Sequence, residues 1–196
     1  MPRSLFRLAA KGAVGFALAF TVWLALSPLY TRFLAAASES VMRLTEKPAI
    51  TSIAPRDTLM VVERRDFPAT PSSVQLAVES TDITFNFILL VTLFAASARA
   101  LSDRNVFGFL AAVFLLVLVH VAAVVSFVKA YYALSFGAWS AAHYGIVARS
   151  FWGAAPYFYS VVGVYGFAFA LWWLLRAPPA AISAPAKQKT GAVRRR

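Results

Sequence analysis

Four uncharged apolar stretches, separated by polar segments, dominate the pattern of this chain. They cover residues 12–30, 83–98, 106–128 and 154–175. About 20 apolar residues, each rising about 1.5 Å, cross a hydrocarbon core about 30 Å thick. The second stretch is the shortest and contains Asn86. The pattern therefore predicts an all-α membrane protein with four transmembrane helices, with the least support for the second.

The segment of residues 31–82 carries a mixed pattern that predicts a small extramembrane insert. Its first part, Thr31–Leu44, has apolar side chains at helical spacing, namely Phe33, Leu34, Ala37, Val41 and Leu44. Such a pattern favours an amphipathic helix that lies on the outer leaflet or caps the bundle. We expect Pro48 and Pro55 to break this helix.

The second part of the insert predicts a β-hairpin. Residues 58–63 are rich in β-forming side chains, and residues 73–79 alternate apolar and polar positions. Turn-forming residues 66–71 lie between them. Because an isolated hairpin is marginally stable in water, we expect it to pack on the helix, the bilayer or a partner.

Residues 129–153 are apolar but contain three glycines and several aromatic residues. This composition is typical of a segment at the membrane interface. Its candidate anchors are Lys129, Trp139, Arg149 and Trp152. We favour snorkelling of the two cations to the headgroups. The alternative is a basic surface, shared with Arg64 and Arg65, for an acidic partner or lipid.

Basic residues predict the orientation of the spans. Residues 1–11, 99–105 and 176–196 together hold 11 of the 19 Lys and Arg residues and one acid, whereas residues 31–82 hold six bases and seven acids. Because cytoplasmic loops carry an excess of Lys and Arg, the pattern predicts both termini inside and the insert outside. We expect the basic tail, residues 176–196, to be disordered.

The N-terminal stretch permits a second interpretation. Three basic residues, an apolar run and Ala35–Ala37 resemble a cleavable signal peptide. The apolar run is longer than a typical signal core, and Arg32 separates it from the alanines. We therefore favour a membrane anchor that is retained.

The composition provides few residues of the types that catalyse reactions. Hydrophobic residues make up 60% of the chain and charged residues 14%, and there is no cysteine, which excludes disulfides and thiolate chemistry. His120 and His143 lie 23 residues apart, whereas a metal site needs at least three ligands. We expect no catalytic residues, metal, cofactor or nucleic acid.

Three polar residues near or within the spans are candidates for function. Asp82 and Asn86 lie in the polar entry to the second span, and His120 lies in the third. Capping of a helix explains Asp82. Helix-to-helix contact and a surface for a partner both remain open for Asn86. His120 suits a hydrogen bond to Asn86 or to a Tyr of the fourth span, or a functional role. With Arg64 and Arg65, these three are the candidate partner contacts.

The layout resembles the small membrane proteins that accompany exosortases, especially the exosortase H-associated type. The likeness covers roughly residues 5–175 and rests on the LSPLY step, the β-prone insert and the TDITFNF entry to the second span. Exosortases are polytopic enzymes that process exported proteins with a Cys, an Arg and a His. Because this chain has no cysteine, the resemblance implies an accessory protein of the bacterial inner membrane rather than the enzyme.

Three functional hypotheses follow. The first is a non-enzymatic accessory protein of the inner membrane that assists protein sorting and contacts the bilayer and a membrane-protein partner. The second is a small oligomeric lipid-handling or transport protein, which requires His120, Asn86 and Lys129 to converge on a cavity. The third is a membrane enzyme that uses His143 or His120 with Asp82. A transporter or an enzyme requires its polar side chains to converge on one water-accessible surface, whereas an accessory protein does not.

Overall fold

The computed structural model describes residues 3–46, 50–64, 76–97 and 100–176, without the side chains of residues 3–5, 7 and 8. It is mostly helical and carries one small sheet. In chain order the elements are α1 (Arg3–Thr45), β1 (Thr51–Arg56), β2 (Leu59–Arg64), β3 (Leu76–Glu79), α2 (Ser80–Thr84), α3 (Asn86–Ala96), α4 (Asp103–Leu134), α5 (Ala138–His143), α6 (Ile146–Phe158), a π-helical turn (Tyr159–Gly163) and α7 (Val164–Leu175).

Three helical stretches in the described residues are long and apolar enough to cross a membrane: Ala9–Thr45, Asp103–Leu134 and Ile146–Leu175. This is the composition of a multi-pass membrane protein. A shorter apolar helical stretch, Ser80–Ala96, is interrupted at Phe85. The long stretches contain the predicted first, third and fourth spans. The first two run beyond both predicted boundaries, whereas the last begins earlier than predicted and ends at residue 175, as predicted.

Helix α1 joins the first span to the predicted outer helix without a break. Its 43 residues reach about 65 Å, about twice the thickness of a hydrocarbon core. Pro28 lies inside the helix. The predicted apolar stripe is confirmed at Leu34, which is fully buried, but not at Phe33 and Leu44, which are exposed. Thr31 and Ser38 are buried instead. Small polar side chains face inward here because other elements pack closely against them.

The sheet is antiparallel with the order β1-β2-β3. The predicted pairing of the second and third strands is confirmed, with Val61 opposite Ala77; the predicted turn residues 66–71 lie outside the described residues. The first strand was not predicted. It contains Pro55, which was expected to break a helix and lies instead in an edge strand, where a missing N–H is tolerated. Asp57, in the turn between β1 and β2, has a φ of 56°.

The segment expected at the interface, residues 129–153, is largely helical. Helix α4 continues to Leu134, and α6 begins at Ile146. Gly137, with a φ of 55°, lies between α4 and α5, and Gly145 precedes α6. Gly153 lies within α6 and does not interrupt it.

The helices form a bundle in which α3 packs between α1 and α7, and α4 packs against α6 and α7. Small residues allow the close approach of α1 and α3, since a Cβ on Gly15 would lie 2.6 Å from Cβ of Ala95. One buried cluster, which includes Leu34, Met60 and Tyr132, lies at the sheet end of the bundle. A second surrounds Leu90, Leu116 and Ala168.

Candidate functional site

A chain of hydrogen bonds crosses the interior of the bundle. Nε2 of His120 lies 2.8 Å from Oδ1 of Asn86, and Nδ1 of His120 lies 2.8 Å from the hydroxyl of Tyr30. Nδ2 of Asn86 donates to the Tyr159 hydroxyl at 3.4 Å, and that hydroxyl donates to the carbonyl of Ile83 at 2.7 Å. The chain therefore joins α1, α4, α3, the π-helical turn and α2.

The donors and acceptors in this series of hydrogen bonds determine the tautomer of the His120 imidazole. Because Oδ1 of Asn86 only accepts, Nε2 of His120 carries the proton. Nδ1 then accepts from the hydroxyl of Tyr30. The neutral imidazole thus satisfies both ring nitrogens, and each bond in the series points from Tyr30 toward Ile83. A closed network of this kind holds helices together without a mobile charge.

Local irregularities place Tyr159 where it completes the chain. Pro156 lies just before the π-helical turn, and such turns accommodate an extra residue in a helix. At the end of the turn, a Cβ on Gly163 would lie 2.9 Å from Cδ2 of Tyr159. Glycine therefore leaves the space that the Tyr159 ring occupies. Across from it, the helical stretch of Ser80–Ala96 is interrupted at Phe85.

Asn86 and His120 belong to the interior of the protein. Asn86 is 0% exposed and His120 is 1% exposed. The predicted pairing of His120 with Asn86 is confirmed, and the Tyr of the fourth span bonds to Asn86 rather than to His120. Of the two hypotheses for Asn86, the geometry supports helix contact. In this structure, neither side chain offers a surface to a partner, and the candidate partner contact at both is corrected accordingly.

Asp82, the third candidate from the spans, is exposed and borders a cavity of about 540 Å³. The cavity is open to the outside and lies between α1, α2 and the fourth-span helices. Half of the ten lining residues are aromatic and three are polar; the residues are Trp23, Thr81, Asp82, Ile83, Phe85, Phe127, Tyr159, Ser160, Val164 and Tyr165. Sequence reasoning placed Asp82 at a helix start but did not indicate this cavity.

A second cavity, of about 260 Å³, lies between α1, α3 and α4. Apolar side chains such as Leu26, Val113 and Leu116 form most of its wall, and Tyr30 and His120 also line it. Trp23 borders both cavities and donates from Nε1 to Oγ1 of Thr84 at 3.2 Å.

Polar contacts hold the sheet on the helices at the opposite end of the bundle from residues 100–105. Oγ1 of Thr51 donates to Oε2 of Glu46 at 2.5 Å, so the Tyr132 hydroxyl, 3.0 Å away, donates to Thr51. Nζ of Lys129 lies 3.8 Å from Oε1 of the same Glu46. Lys129 was predicted to snorkel to the headgroups; instead it is mostly buried and faces a carboxylate of α1's C-terminal extension.

Arg64 and Trp139 form part of an aromatic cluster beside this contact. The guanidinium carbon of Arg64 lies 4.4 Å from the ring centre of Trp139 and 4.8 Å from that of Tyr132. Trp139 also stacks on His143, with ring centres 4.2 Å apart. Burial, followed by the nearby carboxylate of Glu46, raises the pKa of Tyr144. Trp139, predicted as an interface anchor, thus packs against the sheet.

The remaining predicted residues show simpler surroundings. Arg149 and Trp152 are half-buried on α6, and the Trp152 ring meets Phe151 edge-on with centres 5.0 Å apart. Arg65 lies outside the described residues.

The described residues form no group of three or more His, Asp or Glu side chains that could hold a metal ion. His120 contacts Tyr30 and Asn86, whereas Lys129 contacts Glu46. Lys129 therefore does not contact the other two side chains that the lipid-handling hypothesis requires to converge. His143 is exposed and contacts its own helix through the carbonyl of Trp139.

No protein-family model, curated protein or solved structure matches this chain. Its function must therefore be argued from the geometry above.

Proposed function

We propose that this chain is a non-enzymatic accessory subunit of the bacterial inner membrane, which holds a polytopic partner protein through the surface at its sheet end. We call that surface the outer platform: strands β1–β3, residues 31–45 of α1 and residues 135–144. The observation that carries the proposal is a division of labour among polar groups. Inside the bundle, His120 and Asn86 bond to each other and to two tyrosines, whereas the outer platform carries exposed charged, aromatic and apolar side chains.

Firm attachment to the bundle supports a docking role for the outer platform. Oε2 of Glu39 accepts from the backbone N–H of Ile53 at 2.8 Å, and Arg43 pairs with the same Glu39. The Thr31 and Ser80 hydroxyls lie 2.6 Å apart. The bond from Ile53 holds β1 on α1, and the contact between Thr31 and Ser80 holds the residue after β3 on α1. Binding therefore costs little ordering of the backbone.

The exposed face of the first hairpin suits contact with a protein. Arg56, Asp57 and Glu63 are exposed, and Leu59 is 39% exposed among them. Leu44, at the end of α1, is 83% exposed. Apolar side chains surrounded by charges of both signs are typical of protein interfaces, in which an apolar centre is enclosed by a polar rim.

The proposal includes four spans with both termini in the cytoplasm. Besides the three long helical stretches, Ser80–Ala96 crosses the membrane as the second span, and its helix α3 packs between α1 and α7. Although it is short, α3 lies inside the bundle, with Ile88 and Leu90 fully buried. With four spans, the outer platform would lie outside and the loop between the second and third spans inside, which agrees with the distribution of cations.

An exosortase-type enzyme is the partner we propose, on the basis of the sequence resemblance. The partner would supply the cysteine that this chain lacks. The hypothesis of a membrane enzyme that pairs His120 with Asp82 has weaker support, because both ring nitrogens of His120 are engaged by Tyr30 and Asn86.

Co-purification tests the proposal. The tagged chain is co-expressed with an exosortase, extracted in mild detergent and recovered, and the eluate is quantified by mass spectrometry. We expect a stoichiometric complex that Leu59→Ser weakens at least several-fold. Leu101→Ser is the matched control, since Leu101 is 92% exposed at the other end of the bundle. Recovery of the chain without the enzyme, or equal effects of the two variants, would contradict the proposal.

A further inference from the structure

The cavity beside Asp82 has the composition of a binding site for a cation. Five aromatic side chains line it, from four different parts of the bundle: Trp23, Phe85, Phe127, Tyr159 and Tyr165. Its volume of about 540 Å³ lies within the range of about 300–1,000 Å³ that is usual for ligand pockets. Aromatic faces attract ammonium groups through the negative potential above the ring.

Charge points to the same class of ligand. Asp82 is charged, and none of the described Lys or Arg residues lines the cavity. Among residues 3–46, 50–64, 76–97 and 100–176, the Asp82 carboxylate has no hydrogen-bond or ion-pair partner, while the neighbouring Thr81 hydroxyl donates to Glu79. A carboxylate without a counter-ion next to aromatic walls favours a positive ligand and repels an anion.

The position of the cavity along the bundle indicates where that ligand comes from. Two residues before Asp82, the N–H of Ser80 donates to the carbonyl of Thr58 in the hairpin, at 2.9 Å. Asp82 therefore lies where the bundle meets the sheet. In the topology proposed above, this is the outer surface of the membrane, at the level of the lipid headgroups. Tyr165 and Val162, on the outer side of the fourth-span helices, are 59% and 50% exposed. Because Tyr165 also lines the cavity, the cavity borders this exposed apolar surface, which would face lipid in a membrane.

We propose that this cavity binds the ammonium headgroup of a zwitterionic phospholipid of the ethanolamine class, with Asp82 as the counter-ion and the aromatic side chains as its walls. The lipid tails would lie against the exposed apolar side chains of the fourth-span helices. The site goes beyond the proposed function, since it requires no protein partner. A lipid held here would contact Tyr159 and so touch one end of the buried hydrogen-bond chain.

Native mass spectrometry of the purified, delipidated chain tests this assignment. The protein is offered equal amounts of phosphatidylethanolamine and phosphatidylglycerol with identical acyl chains. We expect retention of the ethanolamine lipid to exceed that of the glycerol lipid by about five-fold, the effect of one partly exposed ammonium–aromatic and carboxylate contact. Asp82→Asn should abolish this preference. Asp103→Asn, at an exposed carboxylate on the other side of the bundle, should leave it unchanged.

Two further experiments distinguish binding of the whole lipid from binding of a free ammonium compound, and test whether the lipid occupies this cavity. An excess of O-phosphoethanolamine, which lacks acyl chains, should not displace the lipid if the headgroup and tails bind together; full displacement would assign the site to a free ammonium compound instead. Ser160→Trp, which fills the cavity, should lower retention of the ethanolamine lipid while circular dichroism shows unchanged helix content. Equal retention of both lipids by the unmodified chain would overturn the proposal. The proposal would also be overturned if Asp82→Asn lowered the recovery of a partner protein but left lipid retention unchanged.

Discussion

The His120 imidazole and the Asn86 amide are joined by a 2.8 Å contact between side chains that lie 34 residues apart in the sequence. The contact is buried and lies between α4 and α3. Because both groups have further partners, Tyr30 on one side and Tyr159 on the other, four elements of the bundle depend on the same pair.

Replacing either member of this pair should weaken the bundle by a measurable coupling. We expect Asn86→Leu and His120→Leu each to lower the free energy of unfolding in detergent, and the double variant to lower it by about 0.6–2 kcal/mol less than the sum. A double-mutant cycle by denaturant titration measures this. Thr21→Ala serves as control, because the Thr21 hydroxyl is exposed and bonds to its own helix. Strict additivity of the two substitutions would contradict a direct contact.

The glycine that makes room for Tyr159 should be intolerant of a methyl group. Gly163→Ala should destabilise the protein by about 1–3 kcal/mol, the usual cost of overpacking, because the ring of Tyr159 must move away from Asn86. Gly166→Ala adds the same methyl three residues later, where its nearest neighbour would lie at 3.6 Å. There we expect a neutral effect or a gain, since alanine favours a helix. Thermal unfolding of both variants measures this difference. Equal melting temperatures would contradict the claim that Gly163 leaves space for the Tyr159 ring.

The attachment of the sheet to α4 should depend on one phenol. Tyr132→Phe removes the donor to Thr51, which should cost about 1 kcal/mol and raise hydrogen exchange of the β1 amides about five-fold. Tyr144→Phe is the matched control, since Tyr144 lies in the same cluster and its ring contacts Trp139. Hydrogen–deuterium exchange with peptide mapping compares the two. If β1 exchange were unchanged in Tyr132→Phe, the sheet would be held by other contacts.

The orientation can be measured without removing any native thiol, because the chain has no cysteine. Single cysteines at Glu63 and Ala141, both exposed at the sheet end, should react with a membrane-impermeant maleimide in intact spheroplasts. Ser102→Cys should react only after the membrane is permeabilised. The proposed topology would be contradicted if Ser102→Cys were labelled in intact spheroplasts, or if neither Glu63→Cys nor Ala141→Cys were labelled there.

The long apolar helices and the pairing of two strands followed from the sequence, because length, hydropathy and two-residue alternation are local signals. The contact between His120 and Asn86 could also be predicted, since single polar groups in apolar helices tend to hydrogen-bond to one another. Tyr30 was missed as a partner. At the end of a predicted span, a Tyr is equally typical of an interface anchor.

Other features depend on tertiary structure that no local pattern records. The cavity beside Asp82 arises from the π-helical turn of Tyr159–Gly163 and the interruption at Phe85. Strand β1 contains a proline, which argues against a strand unless its position at an edge is known. Lys129 was expected at the headgroups because its partner, Glu46, lies 83 residues earlier in the sequence.

Site-specific photo-crosslinking tests the central claim, that the outer platform docks a polytopic partner, most directly. A photo-reactive amino acid is placed at Leu59 on the platform or at Leu101 at the other end, in cells that express the chain and the exosortase. We predict a single crosslinked species from Leu59 that contains the enzyme, and none from Leu101. Crosslinks from Leu59 to lipid or to a second copy of this chain alone would contradict the account.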